Sequence, residues 1–369
     1  MEILLYLKRD DKKIVSLVYK RSPKIKSLEH GGKKMERKVI LGGTLALLSL
    51  FVFHTSAIGL TVVRVGALRL SNTAPIFIGL DKGFFESEGI KVEPIWFKAA
   101  QPIAIATATG DIDVGATGLT AGLYNSVAQG MKIAIVADKG REWPRYRLTA
   151  IVVDADQWKA GLRDLKDLKG KRVGITQIGS TYHYMLGNLL EKRGLSLNDV
   201  KVVPLGSVTS MRDTVISHQI ESAFLNQPFV TAVEKNGSAN VLLWVGDHLP
   251  YQIAAIFYGE KLMKNRPAAL SFMKGYIKSC RYYYDFTLTK QEGASYQEIL
   301  HLISKYTEEK SDVIALALPY NDRNGELYVE DIQKQLDWYH RNGMVSKKMS
   351  SSEMVDLSFW KEALQQLGK

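Results

Sequence analysis

Two kinds of apolar pattern alternate along the chain from Thr61 onward. The stretch "TVVRVGAL" has the alternation of a half-buried strand, and "IFIGLDKGFFESEG" follows it with helical spacing and a final glycine. The same succession recurs in "IKVEPIWF", "QPIAIATATG", "IDVGAT", "LYNSVAQG" and "KIAIVA". Strands that alternate with helices across short Gly, Asn and Ser turns predict an open α/β sheet.

The same order of strands and helices starts again at residue 171. Strand patterns in "KRVGITQ", "VKVVPLG", "IESAFLN" and "ANVLLWVG" are separated by helix patterns. The segment "EGIKVEP" of the first half matches "NDVKVVP" of the second, and "GDIDVGA" falls where "HQIESAF" falls. This internal repeat predicts two similar α/β lobes.

Two β-rich segments, "RLTAIVVDAD" and "DHLPYQIAAIFYG", lie between the repeats and predict that the chain crosses between the lobes twice. After Leu262 the pattern becomes helical, with apolar residues three or four positions apart. We expect these helices to pack onto the first lobe. The predicted domains are residues 58–150 with 252–369 as lobe 1, and residues 151–251 as lobe 2.

A leader precedes the predicted lobes. Arg37 and Lys38 follow Met35, and an uncharged, largely apolar run extends from Val39 to Phe53 before the small residues that end at Ala57. This pattern is typical of a secretory signal peptide, here residues 35–57. The run of 15 residues is shorter than the roughly 20 that span a bilayer. An uncleaved membrane anchor is the alternative, and residues 1–34 are interpreted as an extension or a mis-assigned start.

The net charge of +11 is concentrated in this leader. Residues 1–34 hold ten basic and four acidic residues, and residues 36–38 add one more positive charge, which leaves 11 − 7 = +4 for the rest. Such a mildly basic surface is not typical of a nucleic-acid-binding protein. The single cysteine, Cys280, excludes a disulfide within the chain and a thiolate metal cluster. We predict no metal and no cofactor.

The glycine-rich stretch "GDIDVGATGLTAG" needs a separate interpretation. A P-loop would carry Lys and Ser or Thr after its second glycine, and a dinucleotide fingerprint would have the spacing G-x-G-x-x-G. Neither is present, because the stretch ends in Leu-Thr-Ala-Gly and its last glycines are three and four positions apart. The stretch therefore predicts a strand that brings a turn, with Thr117, Gly118 and Thr120, to a ligand.

Four segments together resemble a known family. They are "PIFIGLDKGFFESEGIKVE", "ATGDIDVGATGLTAG", "DLKDLKGKRVGITQIGST" and the ending "YHRNGMVSK…MVDLSFWKEALQQLG". In this order and spacing they resemble the type II periplasmic solute-binding proteins of ABC importers, in the nitrate, sulfonate and taurine group with its thiamine-precursor-binding relatives. The resemblance implies two lobes, each with an open and mostly parallel sheet, and a ligand cleft between them.

Candidate ligand contacts follow from the rule that ligands of open α/β sheets bind beyond the carboxyl ends of the strands. Helix N-termini at such turns favour anions, and a guanidinium in the predicted inter-lobe turn around Arg141 could clamp an anionic group. Helix capping and a solvated arginine remain the structural alternatives. The candidate ligand-binding residues are Ser71, Asn72, Thr73, Lys98, Thr117, Gly118, Thr120, Arg141, Ser180, Thr181, Tyr182, Asn226 and Gln227.

The function expected from this resemblance is a monomeric periplasmic receptor. It would close on a small organic anion and deliver it to an ABC permease, without nucleic acid as a partner. An enzyme on the same fold, such as a desulfinase or a pyrimidine synthase, and a receptor for a sensor are the alternatives. The motifs G-x-S-x-G, H-E-x-x-H and G-x-x-x-x-G-K-[ST] are missing from the sequence, so we predict no catalytic residue.

Overall fold

The computed structural model describes residues 60–368, so the predicted signal peptide at residues 35–57 lies outside the described part. The described strands form two five-stranded sheets. Their bounds are β1 Thr61–Leu68, β2 Ile90–Phe97, β3 Val114–Gly118, β4 Ile133–Glu142, β5 Thr149–Asp154, β6 Arg172–Ile175, β7 Lys201–Pro204, β8 Ser222–Asn226, β9 Ala239–Trp244 and β10 Tyr251–Gly259.

Each sheet contains one strand that runs against the others. The first sheet has the order β2-β1-β3-β10-β4, in which β1 pairs in parallel with β2 and β3, while β10 is antiparallel to β3 and β4. The second has the order β7-β6-β8-β5-β9, with β5 antiparallel to β8 and β9. The predicted α/β class with two mostly parallel sheets is confirmed.

Helices cover both sheets, and the strands β4, β5 and β10 are buried along their whole length, although β4 lies at the edge of the first sheet. The bounds of the helices are α1 Ala74–Asp81, α2 Ala100–Thr109, α3 Ala121–Ala128, α4 Ala155–Lys159, α5 Thr181–Glu191, α6 Val208–Ile216, α7 Phe229–Lys235, α8 Val245–His248, α9 Glu260–Lys264, α10 Arg266–Tyr283, α11 Gly293–Thr307, α12 Ser311–Ile314, α13 Val329–Arg341 and α14 Ser358–Leu367.

The chain passes between the sheets twice. It leaves the first sheet after β4 and enters the second at β5, and it returns from β9 to β10. We use lobe 1 for the first sheet with the helices around it, and lobe 2 for the second. No helix within residues 60–368 is long and apolar enough to cross a membrane.

The helices after Leu262 do not pack on lobe 1 alone. Helix α10 packs against α1 and α14, as expected, but α13 contacts both β10 of lobe 1 and α5 of lobe 2. Gly187 of α5 has no side chain at the point where the indole of Trp338 lies over it. The expectation that the C-terminal helices pack onto the first lobe therefore leaves out the contact of α13 with lobe 2.

Strand β4 is longer than its apolar pattern predicts. It continues through "DKGRE" to Glu142, so Arg141 lies on a strand and not in an inter-lobe turn. The register against β10 shifts near Gly140, whose φ of 136° is unusual for residues with a side chain. The segment lacks apolar alternation because its charged side chains lie in the interior. The sequence pattern therefore did not predict this part of the strand.

Candidate ligand-binding site

A small cavity lies between the two lobes, at the turns that follow β1, β3, β6 and β8. Its volume is about 40 Å³, which is room for about three water-sized groups. Both lobes contribute to its wall. The lining residues are Leu68, Leu70, Asn72, Ala99, Ala100, Thr117, Gly118, Lys139, Thr176, Ser180, Thr181, Tyr182, Val208, Asn226, Ile253 and Ala254.

Lys139 is the basic residue of this wall. Its side chain is 2% exposed, and its ammonium donates to Asn72 Oδ1 at 3.1 Å and to Thr73 Oγ1 at 3.0 Å. An ammonium has three N–H donors, so one remains for a group inside the cavity. Burial lowers the pKa of Lys139 to about 7. A negatively charged group in the cavity would stabilise the protonated form.

The opposite wall in lobe 1 comes from the glycine-rich stretch. Thr117, 1% exposed, lines the cavity, and its hydroxyl has no hydrogen-bond partner among the described residues. A buried hydroxyl without a partner costs free energy, so this group is available to a ligand. The next residue, Gly118, lets backbone approach the other lobe closely, because a Cβ there would lie 2.8 Å from Thr181 Cγ2.

Lobe 2 contributes the N-terminus of α5. Ser180 caps this helix and accepts from the amide of His183 at 3.3 Å, a cap that leaves the amides of Thr181 and Tyr182 unused. These amides and the helix dipole favour a negative charge at the cavity. Burial lowers the pKa of His183 to about 4, so its imidazole is neutral at pH 7.

A short hydrogen-bond chain forms the floor of the cavity in lobe 2. The hydroxyl of Tyr182 donates to Asn226 Oδ1, and Asn226 Nδ2 donates to Thr149 Oγ1 at 2.7 Å. Asn226 ends β8 and Thr149 begins β5, so these hydrogen bonds connect neighbouring strands. These contacts fix the amide orientation of Asn226, whose side chain lines the cavity.

The lobes touch directly around the cavity. The amide of Ser71 donates to the Gln227 carbonyl at 3.2 Å, and the amide of Ala121 donates to the Gly179 carbonyl at 2.9 Å. The hydroxyl of Tyr339 in α13 lies 3.0 Å from the Ser180 carbonyl. The structure is therefore a closed arrangement of the two lobes.

Seven of the predicted residues line this cavity: Asn72, Thr117, Gly118, Ser180, Thr181, Tyr182 and Asn226. The others have different surroundings. Ser71 and Gln227 meet across the lobes through backbone, Thr73 holds Lys139, and Thr120 caps α3. Lys98 is exposed in a second, larger chamber.

Arg141, the predicted anion clamp, does not line the cavity. Its guanidinium lies 3.7 Å from Asp138 Oδ1, donates to the Glu326 carbonyl, and stacks within 5.8 Å of the rings of Trp143, Tyr320 and Tyr328. The basic group at the cavity is Lys139 instead. Lys139 lies two residues before Arg141 in the sequence and was not among the predicted ligand contacts.

The second chamber adjoins the cavity across Leu68, Leu70 and Val208, which line both spaces. We call it the outer chamber, and its volume is about 450 Å³. It too lies between the lobes. Its other lining residues are Arg69, Trp96, Phe97, Lys98, Thr209, Arg212, Phe229, Thr307, Glu308 and Glu309.

A buried carboxyl lies where the chain crosses between the lobes. Glu142 at the end of β4 is 0% exposed and pairs in register with Tyr251, the first residue of β10. Neither carboxyl oxygen makes a hydrogen bond of standard geometry within the described residues, although Thr149 and the Gly246 backbone lie beside it. Burial raises the pKa of Glu142 to about 8.

One surface group has metal-ligand chemistry. Ligand atoms of Asp154, Asp156 and His218 lie within 4.8 Å of one another. Asp154 already caps α4 through the amides of Asp156 and Gln157 and contacts the His218 ring. These contacts explain the group as a helix cap, so it carries no metal assignment.

The chain matches the model of a known family. The family model described as "NMT1/THI5 like" matches residues 70–285, more than half of the chain. A relative from Bacillus subtilis (strain 168), named "Putative aliphatic sulfonates-binding protein", is 23% identical over 311 residues. That alignment covers 82% of this chain and 88% of the relative.

Solved structures share the fold at lower identity. The alkanesulfonate-binding protein SsuA from Xanthomonas axonopodis pv. citri, bound to MOPS, gives a TM-score of 0.66 at 19% identity over 80% of this chain and 98% of SsuA. The periplasmic nitrate-binding protein NrtA from Synechocystis PCC 6803 gives 0.65 at 16% identity over 84% and 89%. The desulfurization enzyme DSZB gives 0.62 at 12% identity over 84% and 100%. The same fold thus carries both binding and catalysis.

Proposed function

The chain belongs to the NMT1/THI5-like family, and on that premise we propose that it is the substrate-binding component of an ABC importer. It captures a small organic anion, such as a sulfonate or a carboxylate, between its two lobes and presents it to a permease. The names of the sulfonate-binding relative and of the sulfonate- and nitrate-binding neighbours support this role.

The observation that carries the proposal is the ammonium of Lys139 inside an inter-lobe cavity. A buried cation is costly unless it has a counter-charge, and the hydrogen-bond partners of Lys139, Asn72 and Thr73, are neutral. The charge of the neighbouring Asp138 offsets only part of this cost, because the pKa of Lys139 is still lowered. The N-terminus of α5 adds positive potential from the other lobe. An anion in the cavity would satisfy both groups and would join the lobes.

A binding role is favoured over catalysis by the state of Cys280. The enzymatic alternative would use a thiolate nucleophile, but Cys280 is 1% exposed in α10 and burial raises the pKa of its thiol well above the usual value. Cys280 does not line the inter-lobe cavity. We therefore propose a receptor without a catalytic residue. We also propose that it acts as a monomer.

The proposed location is the periplasm, reached through the signal peptide at residues 35–57. The periplasmic nitrate-binding neighbour supports this assignment. N-terminal sequencing of the exported protein would test it, with a mature N-terminus near Ile58 as the expected result.

Calorimetric titration of the purified chain tests the binding function. The panel comprises methanesulfonate, aliphatic and aromatic carboxylates, nitrate, and neutral amides and sulfones of matched size. We expect binding of at least one anion and none of the neutral analogues. Lys139→Met should lower the affinity for that anion at least about tenfold, because a charge-assisted hydrogen bond contributes about 1.5–3 kcal/mol.

The matched control is Lys166→Met, which removes an exposed lysine in the segment Leu165–Leu168 that does not line the cavity. Its affinity should equal that of the unmodified chain. Equal binding of neutral analogues, or an unchanged affinity in Lys139→Met, would contradict the proposed anion site. Turnover of a bound compound would contradict the receptor role.

A further inference from the structure

The inner cavity is too small for a whole organic ligand. Its volume of about 40 Å³ accommodates the few atoms of an anionic head, whereas sites for organic ligands typically measure about 300–1,000 Å³. The outer chamber, with about 450 Å³, falls within that range. Because Leu68, Leu70 and Val208 line both spaces, a ligand whose head lies in the cavity has this chamber as the adjoining space for its remaining atoms.

The walls of the outer chamber are aromatic and come from both lobes. Trp96 and Phe97 end β2 of lobe 1, and Phe229 begins α7 of lobe 2. Trp96 and Phe97 are only partly buried, so their rings present apolar surface to the chamber. Flat apolar groups gain the most from such walls, because aromatic pairs contribute about 0.5–1.5 kcal/mol beyond burial.

Four of the five charged residues at the chamber are paired with one another, and the fifth, Lys98, is exposed to solvent. Arg69 lies 5.5 Å from the Trp96 ring and 2.9 Å from Glu308, while Arg212 lies 4.9 Å from the Phe229 ring and 4.0 Å from Glu309. A second charge on the ligand would have to compete with these pairs. Because Lys98 is solvated, the chamber offers a charged body no buried counter-charge, and it therefore favours an uncharged one.

We propose that the ligand is an amphipathic monoanion. Its small anionic head, a sulfonate or carboxylate, binds Lys139 in the inner cavity, and its neutral body, a ring or a comparable flat apolar group, fills the outer chamber between Trp96 and Phe229. This inference rests on the proposed function and specifies the class of substrate for the same cleft. A cavity of about 150 Å³ can hold a benzene ring, so the outer chamber has room for one ring or two fused rings.

Calorimetric titration with a homologous series tests the inference. The probes are methanesulfonate and phenyl-terminated sulfonates with one to four methylene groups, together with the matching carboxylates. We expect the best phenyl compound to bind at least about tenfold more tightly than the head alone, from the apolar area that it buries. A second carboxylate on the ring should remove this gain.

Trp96→Leu and Thr209→Trp should each lower the ratio of phenyl-compound affinity to methanesulfonate affinity. The first removes an aromatic wall, and the second narrows the chamber from an exposed position without disturbing the packing around Trp96. Trp158→Leu is the control, because this tryptophan lies in α4 and does not line either space. Its ratio should be unchanged.

The outcomes separate this inference from the proposed function. If methanesulfonate binds and no phenyl compound binds more tightly, the amphipathic ligand is wrong and the anion receptor stands. If neither anion series binds, the anion receptor fails and the inference fails with it. A gain that Trp96→Leu and Thr209→Trp both leave unchanged would place the body elsewhere and overturn the assignment of the outer chamber.

Discussion

Lys139 and Arg141 are two positions apart on β4 but lie in different surroundings. In a regular strand they would point to the same side. The register shift and the positive φ of Gly140 interrupt the alternation, so that Lys139 reaches the cavity while Arg141 lies among Trp143, Tyr320 and Tyr328. The sequence indicated a basic contact in this segment, but a bulge that depends on the partner strand decided which residue supplies it.

The pKa of Lys139 makes anion affinity depend on pH. Because burial lowers this pKa to about 7, Lys139 is largely neutral above that pH when no anion is bound. For an anion that stays ionised throughout, we expect constant affinity below about pH 6 and a fall approaching tenfold per unit above pH 7. The affinity is measured by calorimetry between pH 5 and 9, in two buffers that differ in ionisation enthalpy.

Lys139→Met supplies the control for this pH dependence. The variant should bind the same anion weakly and with a nearly flat profile, and it should take up no proton on binding. A wild-type profile that is flat to pH 9 would mean that Lys139 stays charged in the free site. An unchanged slope in the variant would assign the titration to another group.

At the scale of elements, strands with regular alternation were predictable and the strand with buried charge was not. The stretch "TVVRVGAL" was predicted as a strand, and β1 has the same bounds, Thr61–Leu68. In contrast, "IFIGLDKGFFESEG" was predicted as one helix, whereas α1 ends at Asp81 and a separate short helix spans Glu86–Glu88. Gly83, with a φ of 65°, lies between them. Local apolar spacing thus predicted the element but not its end.

Glu142 gives the crossover between the lobes a stability that depends on pH. Burial raises its pKa from 4.5 to about 8, so the folded state holds this proton more tightly than the unfolded chain. This contribution is complete below about pH 4.5 and is lost as pH rises toward 8, at up to about 1.4 kcal/mol per unit. Glu142→Gln cannot ionise, so its melting temperature relative to the unmodified chain should rise between pH 5 and pH 8.

The exposed Glu330 provides the matched control for this prediction. Glu330→Gln makes the same chemical change at the start of α13, where the carboxylate is in solvent. Its melting temperature should differ from that of the unmodified chain by a similar amount at both pH values. A difference for Glu142→Gln that does not change between pH 5 and 8 would contradict a protonated carboxyl at the crossover.

At the scale of the whole molecule, the repeat in the sequence predicted the two α/β sheets but not how the lobes meet. The position of α13 depends on a fit between Gly187 and Trp338, which are far apart in the chain. Tyr339 in the same helix donates toward the carbonyls of Leu119 and Ser180, one from each lobe. Periodicity within a segment carries no information about such contacts, because they are decided by shape at a distance in sequence.

The contact between Gly118 and Thr181 across the lobes allows a test of whether ligand binding requires this closed arrangement. A Cβ at Gly118 would lie 2.8 Å from Thr181 Cγ2, and a β-branched side chain on a buried helix turn has little freedom to move away. Gly118→Ala should therefore disfavour closure by about 1–3 kcal/mol, the usual cost of overpacking. Ligand affinity should fall about five- to hundredfold, since only the closed state encloses the ligand.

The double variant Gly118→Ala/Thr181→Ser separates closure from loss of a ligand contact. Serine keeps the hydroxyl at position 181 but lacks the methyl group that the new Cβ would meet. If the clash limits closure, the double variant should bind more tightly than Gly118→Ala alone, and Thr181→Ser alone should bind nearly as the unmodified chain does. Small-angle scattering with bound ligand should show the expanded form for Gly118→Ala and the compact form for the double variant. Equal affinity of the single and double variants would mean that Gly118 acts on the ligand directly and not through contact between the lobes.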